Sequence, residues 1–143
     1  MKKQVFTVAA ALLLGAFAPL SHAAPVTQAK IPFAFEVNNK TMPAGEYELA
    51  RVFENSNAPQ MIRSTDSGAG AILPTMVLHY TDRSSGPKLV FRCYGRECFL
   101  SEVWSGDGRA WKLSESRREK EITQISADEE DLASIAVPLS AKQ

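Results

Sequence analysis

What most constrains this chain is an apolar alternation of period two that is interrupted again and again by turn residues. Ile31, Phe33, Phe35 and Val37 alternate with Pro32, Ala34 and Glu36, the pattern of a strand with one apolar face. Pro32 has no amide donor, so it suits the start of an edge strand. Asn38-Asn39-Lys40 and Met42-Pro43-Ala44-Gly45 are turn signals, after which Glu46 to Phe53 resumes the alternation through Tyr47, Leu49 and Phe53. Gln60 to Ser64, Ala71 to Pro74, Met76 to Tyr80, Lys88 to Cys93, Cys98 to Trp104 and Ala110 to Leu113 follow as further short runs. Polar or glycine-rich stretches divide them at intervals of about 8–12 residues, which is the rhythm of an all-β domain. The expectation for residues 31–113 is an antiparallel β-sandwich or small barrel of about seven or eight short strands.

The tail breaks the rhythm. Ser114 to Gln124 carries Glu115–Glu119 and Arg117–Glu121 at helical spacing, with Ser114 placed to cap a short helix and carboxylates in its first turn. Asp128-Glu129-Glu130-Asp131 reads as a solvated acidic run, and the last dozen residues are weakly patterned. Residues 114–143 are therefore expected to be a short helix followed by an acidic, partly disordered, flexible tail.

The N-terminus reads as an address. Lys2 and Lys3 precede the apolar run Val5 to Leu20, and Ser21-His22-Ala23 puts small residues where a signal peptidase needs them. Residues 1–23 are expected to be a signal peptide cut between Ala23 and Ala24, with 24–30 a flexible leader. The run, broken by Gly15 and Pro19, falls short of the roughly 20 residues that span a bilayer, so no transmembrane segment is expected in the mature chain. Apolar residues at 45% and charged residues at 22% exclude a disordered chain, a collagen-like repeat and a multi-span membrane protein. Without Lys2 and Lys3 the balance is 14 basic against 16 acidic residues, which gives no general attraction to nucleic acid. Export to the periplasm or beyond would place Cys93 and Cys98 in an oxidising compartment. The loop Tyr94-Gly95-Arg96-Glu97 sets the two directly opposite each other across a hairpin, so they are expected to form a disulfide.

Chemistry-bearing motifs are sparse. His79 is the sole histidine after the cleavage point and lies between Leu78 and Tyr80, with no Gly-x-Ser-x-Gly turn to make a triad. One histidine and two cysteines do not make a zinc site. Gly68-Ala69-Gly70 lacks the strand-to-helix setting of a phosphate loop, and Asp107 between two glycines lacks the alternating carboxylates of a calcium loop. Asn39-Lys40-Thr41 has the glycosylation-acceptor form and indicates an exposed turn. No catalytic, cofactor-binding or metal-binding residues are assigned on this reading.

Two charges interrupt apolar faces. Arg51 falls in line with Tyr47, Leu49 and Phe53, and Glu102 with Cys98, Leu100 and Trp104. If both face inward they must be paired, with each other or around a ligand pocket together with Trp104 and Trp111. A bulge or a strand end would instead let each reach water. Trp104 and Trp111 flank a glycine-rich turn, a placement that suits sugar stacking as well as core packing.

Three segments in order carry a resemblance: Ile31 to Leu49 (IPFAFEVNNKTMPAGEYEL), Leu89 to Trp104 (LVFRCYGRECFLSEVW) and Ser114 to Ile122 (SESRREKEI). Together they resemble a family of small exported β-rich proteins abundant in acidobacteria, marked by an IPF-x-F strand, a PAGEY turn, a YG hairpin, an FLSE-x-W strand and an SR-x-E segment. The resemblance implies export and a β-rich fold and brings no catalytic residue with it. The cysteines on both sides of the YG loop depart from the pattern. The leading functional expectation is a non-enzymatic exported β-domain with a binding or structural role, one that binds or packs against an envelope component, a polysaccharide or another protein. The alternatives are a small hydrolase using paired carboxylates among Glu97, Glu102 and Asp107, or a β-barrel holding a small ligand.

Overall fold

The computed structural model describes residues 27–51, 58–74, 76–125 and 132–141. The predicted signal peptide with its Ala23–Ala24 junction, Phe53 and the acidic run 128–131 lie outside the described residues. The strands are β1 (Thr27–Ile31), β2 (Phe35–Val37), β3 (Lys40–Met42), β4 (Gly45–Ala50), β5 (Met61–Ser64), β6 (Gly70–Ile72), β7 (Met76–Tyr80), β8 (Pro87–Tyr94), β9 (Glu97–Ser105), β10 (Arg109–Leu113), β11 (Leu132–Pro138) and β12 (Ser140–Ala141). One helix, α1 (Arg117–Ile125), precedes β11. One sheet has the order β12-β1-β4-β5-β6, and the other β11-β8-β9-β10-β7 with the β2–β3 hairpin joined to β9. Both are open sheets facing each other, so the molecule is an antiparallel sandwich and not a barrel.

Alternation puts one face of each sheet into a shared core. Ile31, Tyr47, Leu49 and Ile62 meet Leu89, Phe91, Leu100 and Val103 there, nearly all without solvent exposure. Phe91 lies at the centre, its ring edge-to-face with Phe33 at 5.1 Å and with Phe35 at 5.2 Å. The PAGEY turn closes on itself, because the buried Tyr47 hydroxyl donates to the Pro43 carbonyl. Asn38 and Asn39 take φ of 50° and 60°, the double positive angle of a tight hairpin turn that asparagine tolerates.

Three expectations are corrected. The alternating stretch Ile31 to Val37 is not one strand: it divides at Pro32 into β1 and β2, since proline cannot continue the ladder. β1 begins at Thr27, within the stretch read as a leader, and pairs with both β4 and β12. The C-terminal tail does not run free after the helix, because β11 pairs along the whole of β8 and β12 crosses to the other sheet beside β1. The helix itself forms as expected, but Ser116 caps it instead of Ser114. Its Oγ accepts from the Glu119 amide at 3.1 Å, the Ser-x-x-Glu form of an N-terminal cap. Asn39 Oδ1 takes the Arg117 amide at 3.2 Å, which ties the helix start to the β2–β3 turn.

Candidate functional site

The nine-residue strand β9 runs from a stapled end to an open one. At the stapled end, Gly95 (φ 62°) and Arg96 make the tight turn of the β8–β9 hairpin. Cys93 pairs with Cys98 directly across it, and they form the expected disulfide with Cα atoms 4.0 Å apart. Helix α1 covers the outer face here. Arg118 holds Glu97 in two hydrogen bonds at 2.8 and 3.0 Å, which keeps that carboxyl below its ordinary range. The buried Glu119 receives the Tyr94 hydroxyl at 3.4 Å, and burial pushes its carboxyl up.

At the other end β7, β8, β9 and β10 finish together at Tyr80, Pro87, Ser105 and Arg109. The parity of β9 changes before it gets there. Phe91 opposes Leu100 and Val90 opposes Glu102, so Ser101 has no partner on β8 and forms a β-bulge. The extra residue turns Glu102 and Trp104 to the outer face and Val103 to the core. Strict alternation had placed Glu102 inward with Cys98 and Leu100; the bulge is why it is not. Arg51 stands just past the end of β4 and is exposed. The two charges therefore reach solvent by separate routes, a bulge and a strand end, and do not pair.

Arg51, Trp104 and Trp111 nevertheless line one cleft of about 200 Å³, together with Leu49, Pro59 and Leu139. The two tryptophans belong to opposite faces of their sheet. Trp111 opposes Val103 and faces the core side, whereas Trp104 opposes Ala110 and lies outside. The Lys88 ammonium sits 4.0 Å from the Trp104 ring centre, and the Trp104 indole donates to Glu102 at 2.7 Å. Glu102 Oε2 also lies 3.7 Å from His79 Nε2, which has no hydrogen-bond partner among the described residues.

The core-facing side of β10 and β7 lies next to this cleft, and Trp111 is buried there at 7% exposure. Arg109 and Trp111 share that face, with the guanidinium 5.9 Å from the indole ring centre. Tyr80 opposes Arg109 and Leu78 opposes Trp111. Both are uncovered, Tyr80 at 81% and Leu78 at 46% exposure. Beyond them a second hollow of about 430 Å³ is lined by Tyr80, Thr81, Arg83, Asp107 and Arg109. Tyr80 and Arg83 were missed in the sequence. Met76 to Tyr80 has apolar side chains on both faces, a pattern shared by buried central strands and bare edges, and nothing in the sequence marks Arg83.

The three candidate carboxylates are not brought together among the described residues. Glu97 is held by Arg118 beside the helix, and Glu102 is on the outer face. Asp107 is gripped by Arg109 and by the Ser105 hydroxyl, which hold its carboxyl far below the usual range. Glu97 and Asp107 are thereby stabilised as bases already neutralised by a cation, the opposite of a general acid. Among the described residues no group of three metal-ligating side chains occurs, and no helix is long and apolar enough to cross a membrane. Neither a protein-family model, nor a curated protein, nor a solved structure matches the chain.

Proposed function

We propose that the protein is an exported, non-enzymatic binding domain whose open end takes a segment of envelope polysaccharide. The observation that carries this reading is the cleft lined by Arg51, Trp104 and Trp111, with Leu78 and Tyr80 bare on the edge strand beside β10. The bare Tyr80 ring and the partly exposed Trp104 suit the apolar faces of sugars, and guanidinium groups near them suit hydroxyl and anionic groups. Support for export comes from the tripartite N-terminus and from the disulfide, which persists in oxidising compartments. The carboxylates engaged by their own chain weigh against hydrolysis.

Affinity electrophoresis of the mature domain against a panel of soluble polysaccharides, alongside glycosidase and esterase substrates, tests it. Retardation by at least one polysaccharide without turnover is expected. Turnover that disappears in Glu102→Gln would overturn the reading in favour of a hydrolase. Intact mass of exported material should begin at Ala24, and recovery with Met1 attached in a membrane fraction would refute the export step.

A further inference from the structure

We propose that the open end is selective for a glycan bearing anionic groups, uronate carboxylate or glycosyl phosphate, held by Arg83 beside the bare Tyr80 ring and by Arg51 at the neighbouring cleft. This rests on the polysaccharide reading above and narrows it to a substrate class.

The argument is an accounting of charge at that end. Among the described residues three carboxylates lie there, and each already has donors from its own chain. Asp82 accepts from the Ser84 amide at 3.0 Å and from the Ser84 hydroxyl. Asp107 is taken by Arg109 and Ser105, and Glu102 by the Trp104 indole. Two guanidinium groups have no counterpart: Arg51 and Arg83 make no ion pair or hydrogen bond among the described residues, and both are exposed. Arg51 lines the first hollow and Arg83 the second. The two hollows are neighbours on β10, where the guanidinium of Arg109, which lines the second, stands 5.9 Å from the ring centre of Trp111, which lines the first.

Arg83 is also held in place. A Cβ at Gly108 would come within 2.9 Å of Arg83 Cγ, so the glycine, at φ 93°, leaves room for the arginine stem to lie across the turn. Its head group is then presented beside Tyr80, whose hydroxyl is available as a further donor. A guanidinium offers paired N–H groups that match carboxylate or phosphate oxygens, and a desolvated, unmatched guanidinium would be costly under a neutral sugar. A bare Tyr80 ring with free arginines near it is thus complementary to a sugar chain that carries negative charge.

The experiment is affinity electrophoresis of the intact mature domain in polygalacturonate, its fully methyl-esterified form, a phosphomannan and neutral dextran. Retardation by polygalacturonate or by the phosphomannan, whichever group is preferred, with little by the esterified or neutral polymers, is the expected result. Arg83→Glu should weaken it by about tenfold or more, as expected for one lost charge-assisted contact. Arg83→Gln, which keeps the length of the side chain, should weaken it less. Arg96→Glu makes the same charge change at the hairpin tip and should leave retardation unaltered, with melting curves confirming that all variants fold. Equal loss in Arg96→Glu would overturn the proposal, because net charge alone would then explain binding. Equal retention of the esterified or neutral polymers would refute the anionic selectivity and leave the polysaccharide reading standing. Retention of none would bring down both.

Discussion

The two ends of β9 stand roughly 27 Å apart at about 3.4 Å per residue, and they are built on opposite plans. At the hairpin tip the cysteines are bonded to each other, Glu97 to Arg118 and Glu119 to the Tyr94 hydroxyl, while Arg96 in the turn stays exposed. At the Ser105 end no described element covers the strand ends, Tyr80 and Leu78 are bare, and Arg51 and Arg83 lack counterparts among the described residues. The lesson is that a small sandwich can concentrate its covalent and electrostatic restraint at one end and leave the other with unsatisfied surface. Stability should depend on the first and recognition on the second.

Substitutions can separate these roles, beginning with the core both ends share. Phe91→Ala should cost about 3–5 kcal/mol in urea unfolding, as expected for a buried aromatic whose ring partners cannot close the gap. A loss below 1 kcal/mol would mean that the core does not join the two ends as described. Cys93→Ser combined with Cys98→Ser should cost about 2 kcal/mol, the loop-entropy value for so short a ring. Polysaccharide retardation measured below the melting temperature should be unchanged. If retardation vanished in a folded double variant, the division between the ends would fail. Ser116→Ala should cost about 1 kcal/mol through the lost helix cap, with the difference confined to the stapled end in hydrogen exchange.

The smallest effect depends on pH and has opposite signs at two neighbouring carboxyls. Glu119 holds its proton more tightly folded than unfolded, because burial raises it. Its share of stability is greatest below the ordinary carboxylate value and is lost as pH rises through the raised one; Glu119→Gln should flatten that fall. Glu97 is lowered by Arg118, so its share is present above the ordinary value and is lost as pH falls through the lowered one. Arg118→Ala should remove that acid-side loss, which for an exposed pair amounts to about 0.2–1 kcal/mol. Unfolding curves across the acid range would contradict both assignments if neither variant changed the slope.

Legibility in the sequence follows locality. The Cys93–Cys98 bond was readable because two cysteines flank a short turn, and the β2–β3 turn because two asparagines can take positive φ. The β11 and β12 strands were not, since their partners β8 and β1 lie far back in the chain and β11 has no polar alternation to announce it. Pro32 was given its edge role but not its power to divide the strand. The bulge at Ser101 has no marker of its own, and it alone moves Glu102 from the expected inward face to the outer one. Three of the four residues expected around a ligand, Arg51, Trp104 and Trp111, do line one cleft.

The most direct test of the division between ends is amide hydrogen exchange on the mature domain, with and without a saturating amount of whichever polysaccharide retards it most. The account predicts added protection at Leu78–Tyr80, Arg83 and Arg109–Trp111 and none at Tyr94–Cys98. Protection centred on the disulfide hairpin, with the Arg109–Trp111 segment unchanged, would contradict it.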